Sequence, residues 1–446
     1  MERAALRKLS LREEIPTIRP AGTPRKNEMV SVLVLTQNEG GNIAAVLRRV
    51  MRQLEKSSLD YELVVVDGGS ADDTAEQARQ CGARVVEQSD SGYGNALREG
   101  FALCRGDYVL TLDADQSHDP AVILDLLDHR READLVIASR YVMFGHASMP
   151  VGRLLLSRFL NGVYASLLGL PIKDLSSGFR LYRRGILDEA RLVGENFDIL
   201  PELVVQAYAN GFRVREIPFH YRPRREGKSH VRLMKFGRSY LRTLLRYWQL
   251  RNSIAAADYD FRAFHSRHPA QRYWQRKRYA IVNGYVDDYR SGVDVGCGSS
   301  VILDSLPDVV GVDVSHKKLR FLRGHLRQPL VQADIRSLPF PDRSFDLLIC
   351  SQVIEHVEYD LRIFEEFRRL LEPGGTLILG TPDYAKLAWI VTEWLYKKLA
   401  PGAYGDEHIT HFTFESLSRL LREHGFEVLA HDYVGGGELI IKARRV

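Results

Sequence analysis

Short β-branched runs alternate with stretches of helical periodicity along most of this chain. Ser31-Val-Leu-Val-Leu35 is a continuous apolar run, ended by the polar Thr36-Gln37-Asn38-Glu39 and followed by helical spacing from Asn42 to Glu55. Leu63-Val-Val-Val66 is a second run, closed by Asp67-Gly68-Gly69-Ser70-Ala71-Asp72-Asp73-Thr74, which is turn and N-cap chemistry. A helix, a strand at Arg84–Glu87, a helix from Gly94 to Cys104 and a strand from Tyr108 to Leu112 come next. The alternation pauses in an aromatic, basic stretch, restarts at Gly292 and continues to the end of the sequence. Apolar strands alternating with helices predict largely parallel sheets, with ligands at the carboxyl ends of the strands. The pattern divides into a polar, proline-containing arm (1–28), an α/β domain (29–250), a helical connector (251–290) and a second α/β domain (291–446).

Composition changes this picture little. A chain of 446 residues, 45% hydrophobic and 27% charged, is a soluble globular protein too long for one ordinary core. Its four cysteines form no CxxC pair and no zinc spacing, and read as small buried side chains in a reducing compartment. No run reaches the ~20 apolar residues of a spanning helix. The most apolar stretch, Val151 to Leu170, is broken by Arg153, Arg158 and Asn161. A cytoplasmic protein is expected, with any membrane contact peripheral.

Charge adds one feature. The net charge is +5, and much of the excess lies between 222 and 251. Val231 to Leu250 reads as one helix, with Arg232, Lys235, Arg238, Arg242 and Arg246 at steps of three and four forming a cationic stripe. Leu233, Met234, Tyr240, Leu241, Leu244, Leu245 and Trp248 supply apolar area elsewhere on it. That pattern suits an anionic membrane surface; the plain alternative is the solvated face of a core helix. No nucleic-acid recognition motif accompanies it, so a nucleic-acid partner is not expected.

Asp113-Ala114-Asp115 directly follows an apolar strand. Alternate residues of an extended chain point the same way, so both carboxylates can reach one ion. Hard oxygen ligands suit Mg²⁺ or Mn²⁺ on a diphosphate; the alternative is that these acids cap the helix opening at Asp119-Pro120. Several further motifs join this pair: Thr36-Gln37-Asn38-Glu39-Gly-Gly-Asn42-Ile43, Val66-Asp67-Gly68-Gly69-Ser70, Gly92-Tyr93-Gly94-Asn95-Ala96, Ser139-Arg140-Tyr141, Asp174-Leu-Ser176-Ser177-Gly178-Phe179-Arg180 and Arg224-Arg225-Glu-Gly227-Lys228-Ser229. Together they make residues 29–240 resemble inverting family 2 glycosyltransferases of GT-A fold, and among them the polyprenyl-phosphate (dolichyl-phosphate) mannose or glucose synthases.

The resemblance implies a metal on Asp113 and Asp115. It implies a nucleotide-sugar of the GDP-mannose or UDP-glucose type, bound by Thr36, Asn38, Glu39, Asp67, Gly94, Asp113, Ser177 and Arg153. It also implies that Arg140, Arg153 and Arg224 hold the acceptor phosphate or the diphosphate. Gly68 replaces a second acid usual in that family, Ser117 stands where a metal-binding Gln is often seen, and His230 where a lysine is common. Chemistry favours the lipid-phosphate subgroup on its own terms. A phosphate acceptor is already anionic at neutral pH and needs positioning rather than a general base, and guanidinium groups bind it bidentately.

Val293-Asp294-Val295-Gly296-Cys297-Gly298 has the strand-then-glycine order that lets backbone approach a cofactor closely. Val310-Gly-Val-Asp313 adds an acid suited to ribose hydroxyls. With Ala333-Asp334, Val353-Ile354-Glu355-His356-Val357, Leu371-Glu-Pro373-Gly374-Gly375, His408-Ile-Thr-His411 and Gly425-Phe426-Glu427-Val428, residues 270–446 resemble class I S-adenosylmethionine-dependent methyltransferases of the small-molecule branch. The resemblance implies that Asp294, Gly296, Gly298, Asp313 and Asp334 bind S-adenosylmethionine. His356, His408 and His411 are possible bases, and Ser300 occupies the usual third-glycine position. A nicotinamide-binding domain is the structural rival.

The expectation is therefore α/β throughout: a GT-A nucleotide-sugar transferase fold followed by a Rossmann-like class I methyltransferase fold. The expected activity is transfer of a hexose to a polyprenyl phosphate, joined to methylation of a small molecule, sugar or lipid-linked acceptor. One alternative is transfer to a saccharide hydroxyl with Asp198 or Glu202 as base. Another is that one domain serves only for docking.

Overall fold

The computed structural model describes residues 28–222, 233–399 and 408–446. They form two compact units, divided between Arg251 and Asn252. Arg224, His230 and Arg232 lie outside the described residues, as does the arm before Glu28.

The first unit is built on a seven-stranded sheet of order β3-β2-β1-β4-β7-β5-β8. Its strands are β1 (Met29–Thr36), β2 (Asp60–Asp67), β3 (Arg84–Glu87), β4 (Tyr108–Asp113), β5 (Leu135–Ser139), β7 (Arg180–Arg183) and β8 (Val214–Pro218). β6 (His146–Ala147) pairs apart from them with β9 (His220–Tyr221). β1 runs parallel to both β2 and β4, while β7 is antiparallel to its neighbours β4 and β5. β1 is apolar and buried along nearly its whole length because helices cover both faces. The helix Ile43–Leu54 buries Ile43, Val46, Leu47, Val50 and Leu54, a three-and-four spacing that makes one inward stripe. The chain leaves β1 towards β2 and β4 towards β5, on either side of the pair, and the helices that follow, Ile43–Leu54 and Ile123–Asp128, pack in one core.

The second unit has a sheet of order β12-β11-β10-β13-β14-β16-β15. It comprises β10 (Gly292–Val295), β11 (Val309–Asp313), β12 (Leu330–Gln332), β13 (Phe345–Ser351), β14 (Leu371–Pro382), β15 (Phe426–Val434) and β16 (Glu438–Arg445). The first five are parallel, and β16 inserts antiparallel between β14 and β15. That insertion departs from the 3-2-1-4-5-6 order of a dinucleotide-binding sheet and removes the nicotinamide rival. The helix Phe414–Glu423 starts at a capping box in which Thr413 and Ser416 satisfy each other's backbone N–H groups. The stretch expected as a connector is mostly helical, at Tyr259–Phe264 and Pro269–Tyr285, and packs within the second unit. There Trp274 and Arg278 donate to Glu438 of β16, Arg278 Nε at 2.5 Å.

Two expectations need correction. Cys81 is only half-buried, because it ends a surface helix, whereas the other three cysteines are buried. The basic helix, Leu233–Arg251, is not simply a surface stripe. Tyr247 and Thr243 are buried and bond Glu202 and Asp198 at 2.5 and 3.1 Å, and buried Arg251 donates to the Leu168 carbonyl at 3.0 Å. Leu241, Arg242, Leu245 and Arg246 form its exposed face.

Candidate functional site

In the first unit the strand ends bring most of the expected residues together. Register places Leu35 opposite Asp113 and Thr36 opposite Asp67, so the loops after β1, β2 and β4 leave the sheet at one edge. Asn38 turns through a left-handed backbone, φ 54°; its N–H donates to Ser70 Oγ at 2.8 Å and its Oδ1 accepts from Ala71 N–H at 2.8 Å. Glu39 N–H donates to Thr74 Oγ1, and Glu39 Oε2 accepts from Asn42 at 2.7 Å. Asp67 accepts from both the N–H and the hydroxyl of Ser70. These bonds tie the first two loops into one rigid floor. Thr36 Oγ1 is buried beneath it with no hydrogen-bond partner.

Asp113 and Asp115 stand at the end of β4. Asp113 is partly open and Asp115 is 3% exposed, its Oδ1 accepting from Ser117 N–H at 3.0 Å. His118 backs the pair: its Nδ1 accepts the Asp113 N–H at 3.0 Å and its Nε2 lies 3.7 Å from Asp113 Oδ2. Burial pushes the His118 pKa down against the pull of the two aspartates, which favours its neutral form. Two carboxylates at a strand end, backed by an imidazole, fit a hard divalent cation. Gly178 completes the wall; a Cβ there would come within 2.8 Å of Tyr93 Oη and 3.7 Å of Asp113 Oδ1.

Other expected residues hold the frame. Gly94 sits at a helix start where a Cβ would strike the Gly194 carbonyl, and its N–H donates to Glu195 O. Ser177 is buried and donates to Ala138 O at 2.6 Å. Arg140 Nε and Nη2 each lie 2.7 Å from the carboxylate of fully buried Asp174, and Nη2 also reaches Ser176. Burial alone would raise the Asp174 pKa; the Arg140 charge and hydrogen bonds outweigh it and hold the group low. Much of the fork expected on a phosphate is thus engaged with Asp174. Removing Arg140 outright would strand a buried carboxylate, at roughly 3–5 kcal/mol. Arg153 is exposed on the helix Val151–Leu167.

Both base candidates of the saccharide alternative are buried and bonded. Glu202 accepts from Val193 N–H, Gly194 N–H and Tyr247 Oη, and Asp198 from Asn196 N–H and Thr243. Glu202→Gln is expected to lower the melting temperature of the first unit while leaving any retained transfer with an unchanged pH profile. A profile that loses its limb would restore Glu202 as a base.

In the second unit the turn after β10 carries Gly296 (φ 74°) and Gly298 (φ 58°). Gly298 N–H donates to Asp313 Oδ2 at 2.9 Å, and Asp313 Oδ1 accepts from Ser315 N–H at 2.7 Å. Asp313, expected on a ribose, therefore also fastens the glycine turn. Sequence reading missed Asp260, which fastens the turn from outside: its Oδ2 accepts from Ser299 N–H at 3.2 Å and its own N–H donates to Ser299 Oγ at 3.0 Å. Its signal, an acid some 40 residues upstream in a presumed connector, is invisible to a motif. Asp334 forms a pair with Arg336, with Oδ2 2.5 Å from Nη2, and its pKa falls to about 2 chiefly through that bond.

Asp294 is buried and its Oδ2 has no hydrogen-bond partner, an orphan acceptor beside the glycine turn that fits a cationic cofactor. Burial, then the charge of Asp313, pushes its pKa up to about 7. A folded pKa above the unfolded one gives stability that is full below the ordinary carboxylate range and is lost as pH rises through about 7. Asp294→Asn is expected to raise the melting temperature of this unit at pH 8 and leave it little changed near pH ~4. Melting curves across that range check it; a variant with the wild-type pH slope would contradict it.

A second cluster lies beyond β13 and β14. Val353 packs against Gly296, where a Cβ would overlap its methyl group. Two residues on, Glu355 is buried, with burial pushing its carboxyl up to about 8. The rings of His356 and His408 are 4.8 Å apart, His408 Nδ1 lies 2.8 Å from Tyr384 Oη, and His411 stacks on Tyr384 at 3.9 Å.

Comparison with known proteins agrees with both halves. Residues 31–191 match the model of glycosyl transferase family 2, and residues 293–379 match that of a methyltransferase domain. The chain is 33% identical over 226 residues to the low-salt glycan biosynthesis hexosyltransferase Agl6 of Haloferax volcanii, covering 48% of this chain and 53% of that protein. It is 31% identical over 214 residues to a dolichol-phosphate mannosyltransferase of Pyrococcus furiosus, covering 46% and 59% respectively. This chain thus spans little more than half the length of these relatives. Glucosyl-3-phosphoglycerate synthase of Mycobacterium tuberculosis, solved with Mn²⁺, uridine diphosphate and its product, is 23% identical with a TM-score of 0.41, over 51% of this chain and 85% of that one. The chain thus carries a region matching the family 2 glycosyl transferase model, followed by a region matching a methyltransferase domain.

Proposed function

We propose that the first domain transfers a hexose from a nucleotide-sugar to a polyprenyl phosphate, and that the second methylates a lipid-linked or sugar acceptor using S-adenosylmethionine. The observation that carries the choice of acceptor is the helix Val151–Leu167. Its inward side is tied to the candidate site: Asn161 bonds Ser176 and the Leu175 N–H, and Ser157 bonds Tyr141. Its outward side exposes Val151, Leu155, Leu156, Phe159, Leu160 and Val163, with Leu155 at 61% and Phe159 at 66%. An exposed apolar face of this extent marks an interaction surface. Beside a site for an anionic acceptor, a lipid chain accounts for it. Dolichol-phosphate mannosyltransferase among the relatives supports the same class of acceptor.

In this reading Asp113 and Asp115 hold Mg²⁺ or Mn²⁺, which when bound neutralises charge on the departing diphosphate. The loops of Asn38, Glu39 and Asp67 position the nucleotide. The acceptor arrives ionised, so no side chain has to remove its proton, consistent with the buried state of Asp198 and Glu202. In the second domain Asp313 and the glycine turn hold S-adenosylmethionine, which supplies the methyl group as a sulfonium. The helix Leu387–Leu399 exposes Leu387, Ile390, Val391, Trp394 and Leu395, a further apolar stripe suited to a lipid-linked acceptor. Among the described residues no helix is long and apolar enough to cross a membrane, so contact with the bilayer is proposed as peripheral.

The test is transfer of labelled hexose to polyprenyl phosphate in liposomes. Leu155→Ser with Phe159→Ser is expected to weaken liposome binding by roughly tenfold for each side chain, with little change in melting temperature because both are already exposed. Arg242→Gln and Arg246→Gln should each cost ~1 kcal/mol of binding to anionic liposomes, an effect that high salt erases. A free saccharide glycosylated in preference to every polyprenyl phosphate offered would replace this reading with the saccharide alternative.

A further inference from the structure

We propose that the methyltransferase domain holds a second divalent cation, on Glu355, His356 and His408, and that this ion binds the oxygen of the methyl acceptor. One ligand atom from each residue lies within 4.8 Å of the other two, so that small side-chain shifts would let them share an ion. The three come from separate places, the end of the β13 loop and the segment just before the helix Phe414–Glu423. Backbone bonds lock those places together: Ile409 N–H and Thr410 N–H both donate to the Glu355 carbonyl, at 2.8 and 3.1 Å.

The surroundings are those of a ligand set. Glu355 is 1% exposed and its Oε2 has no hydrogen-bond partner, an expensive arrangement for a carboxylate unless something positive meets it. Its other oxygen is steadied by Gln352, which in the amide orientation satisfying both neighbours donates to Oε1 at 3.2 Å and accepts from Thr381 N–H at 3.3 Å. Gln352 takes a left-handed backbone, φ 62°, to do so. Tyr384 Oη lies 2.8 Å from His408 Nδ1 and 3.3 Å from Glu393 Oε1, steadying the His408 ring.

Two imidazoles and a carboxylate favour a first-row transition ion such as Zn²⁺ or Mn²⁺ over Mg²⁺, and leave coordination positions open. Val353, two residues before Glu355, packs on Gly296 of the glycine turn and so ties the cluster to that turn. The acceptor class that fits is a hydroxyl, such as that of a sugar. Bound to the ion it releases its proton to solvent; the O–CH₃ bond then forms as the C–S bond breaks, and the sulfonium leaves as a neutral thioether. This use of the ion rests on the methyltransferase reading, whereas the binding of the ion does not.

The experiment uses untagged full-length chain carrying Asp113→Ala and Asp115→Ala, so that the first domain contributes no metal. After chelation it is titrated with Zn²⁺ and, separately, Mn²⁺, with bound metal counted by mass spectrometry. Binding of S-adenosylhomocysteine is followed by calorimetry in parallel. One equivalent of Zn²⁺ is expected, weakened at least ~10-fold by Glu355→Gln, His356→Ala or His408→Ala, with S-adenosylhomocysteine still bound and with His411→Ala unaffected. Absence of bound Zn²⁺ and Mn²⁺, or equal binding by all the variants, overturns the site even where S-adenosylhomocysteine binds normally. Zinc bound at the three residues in a chain that ignores S-adenosylhomocysteine would uphold the site and overturn its use in methyl transfer.

Discussion

Asp115→Asn is expected to reduce hexosyl transfer by ~10²–10³-fold while leaving S-adenosylhomocysteine binding and the melting temperature close to wild type. The substitution keeps an oxygen able to accept the Ser117 N–H, so the strand end stays folded. What it removes is charge. His118, whose neutral form burial favours, cannot substitute for a cation, and Asp113 alone is a single carboxylate. Asp113→Asn should behave alike, and chelation of the wild type should reproduce both variants, reversed by Mn²⁺. Undiminished transfer in metal-free buffer would remove the ion from the reaction. The two domains make the control internal, because S-adenosylhomocysteine binding reports the integrity of the same chain.

Much of this site was legible in the sequence, for a physical reason. An apolar strand ending in Asp-Ala-Asp, or in Gly-Cys-Gly, declares both its position in a sheet and the chemistry at its carboxyl end. The observed β1, β2 and β4 extend the expected runs by only a few residues at their ends. Less legible was the division of labour among polar residues. Arg140 matches a phosphate-binding motif, yet its guanidinium lies on Asp174, some 34 residues away in sequence. Nothing local distinguishes an arginine that faces a ligand from one that faces a buried acid. The helix proposed to meet the lipid shows the same limit. The stretch from Val151 looked interrupted by Arg153, Arg158 and Asn161, but wound into a helix it puts Asn161 inward and Leu155, Leu156, Phe159 and Leu160 outward. The basic helix, more conspicuous in sequence, spends one face on Glu202 and Asp198. Asp260 was missed because its partner Ser299 is close only after folding.

Gly296→Val is expected to abolish measurable S-adenosylhomocysteine binding and to lower the stability of the second unit. Gly296 has φ 74°, a conformation that costs a β-branched residue ~1–2 kcal/mol before any contact is counted. A Cβ there would also overlap the side chain of Val353, so the β13 loop would have to move with the glycine turn. Asp313→Ala separates the two contributions. It leaves the glycines free to adopt their conformation but removes the acceptor of the Gly298 and Ser315 N–H groups, together with any contact to a ribose. Its cofactor affinity should fall at least ~10-fold, and the buried Gly298 N–H left unpaired should cost roughly 1–3 kcal/mol, the part-buried Ser315 N–H less. Asp313→Asn keeps an acceptor oxygen for one of them and should recover part of the stability and less of the affinity. Calorimetric titration and melting curves on the three variants decide the matter. If all three bind S-adenosylhomocysteine as the wild type does, the cofactor does not lie on this turn. If Gly296→Val alone binds normally, the turn has room that the contact with Val353 denies, and the two loops are not coupled.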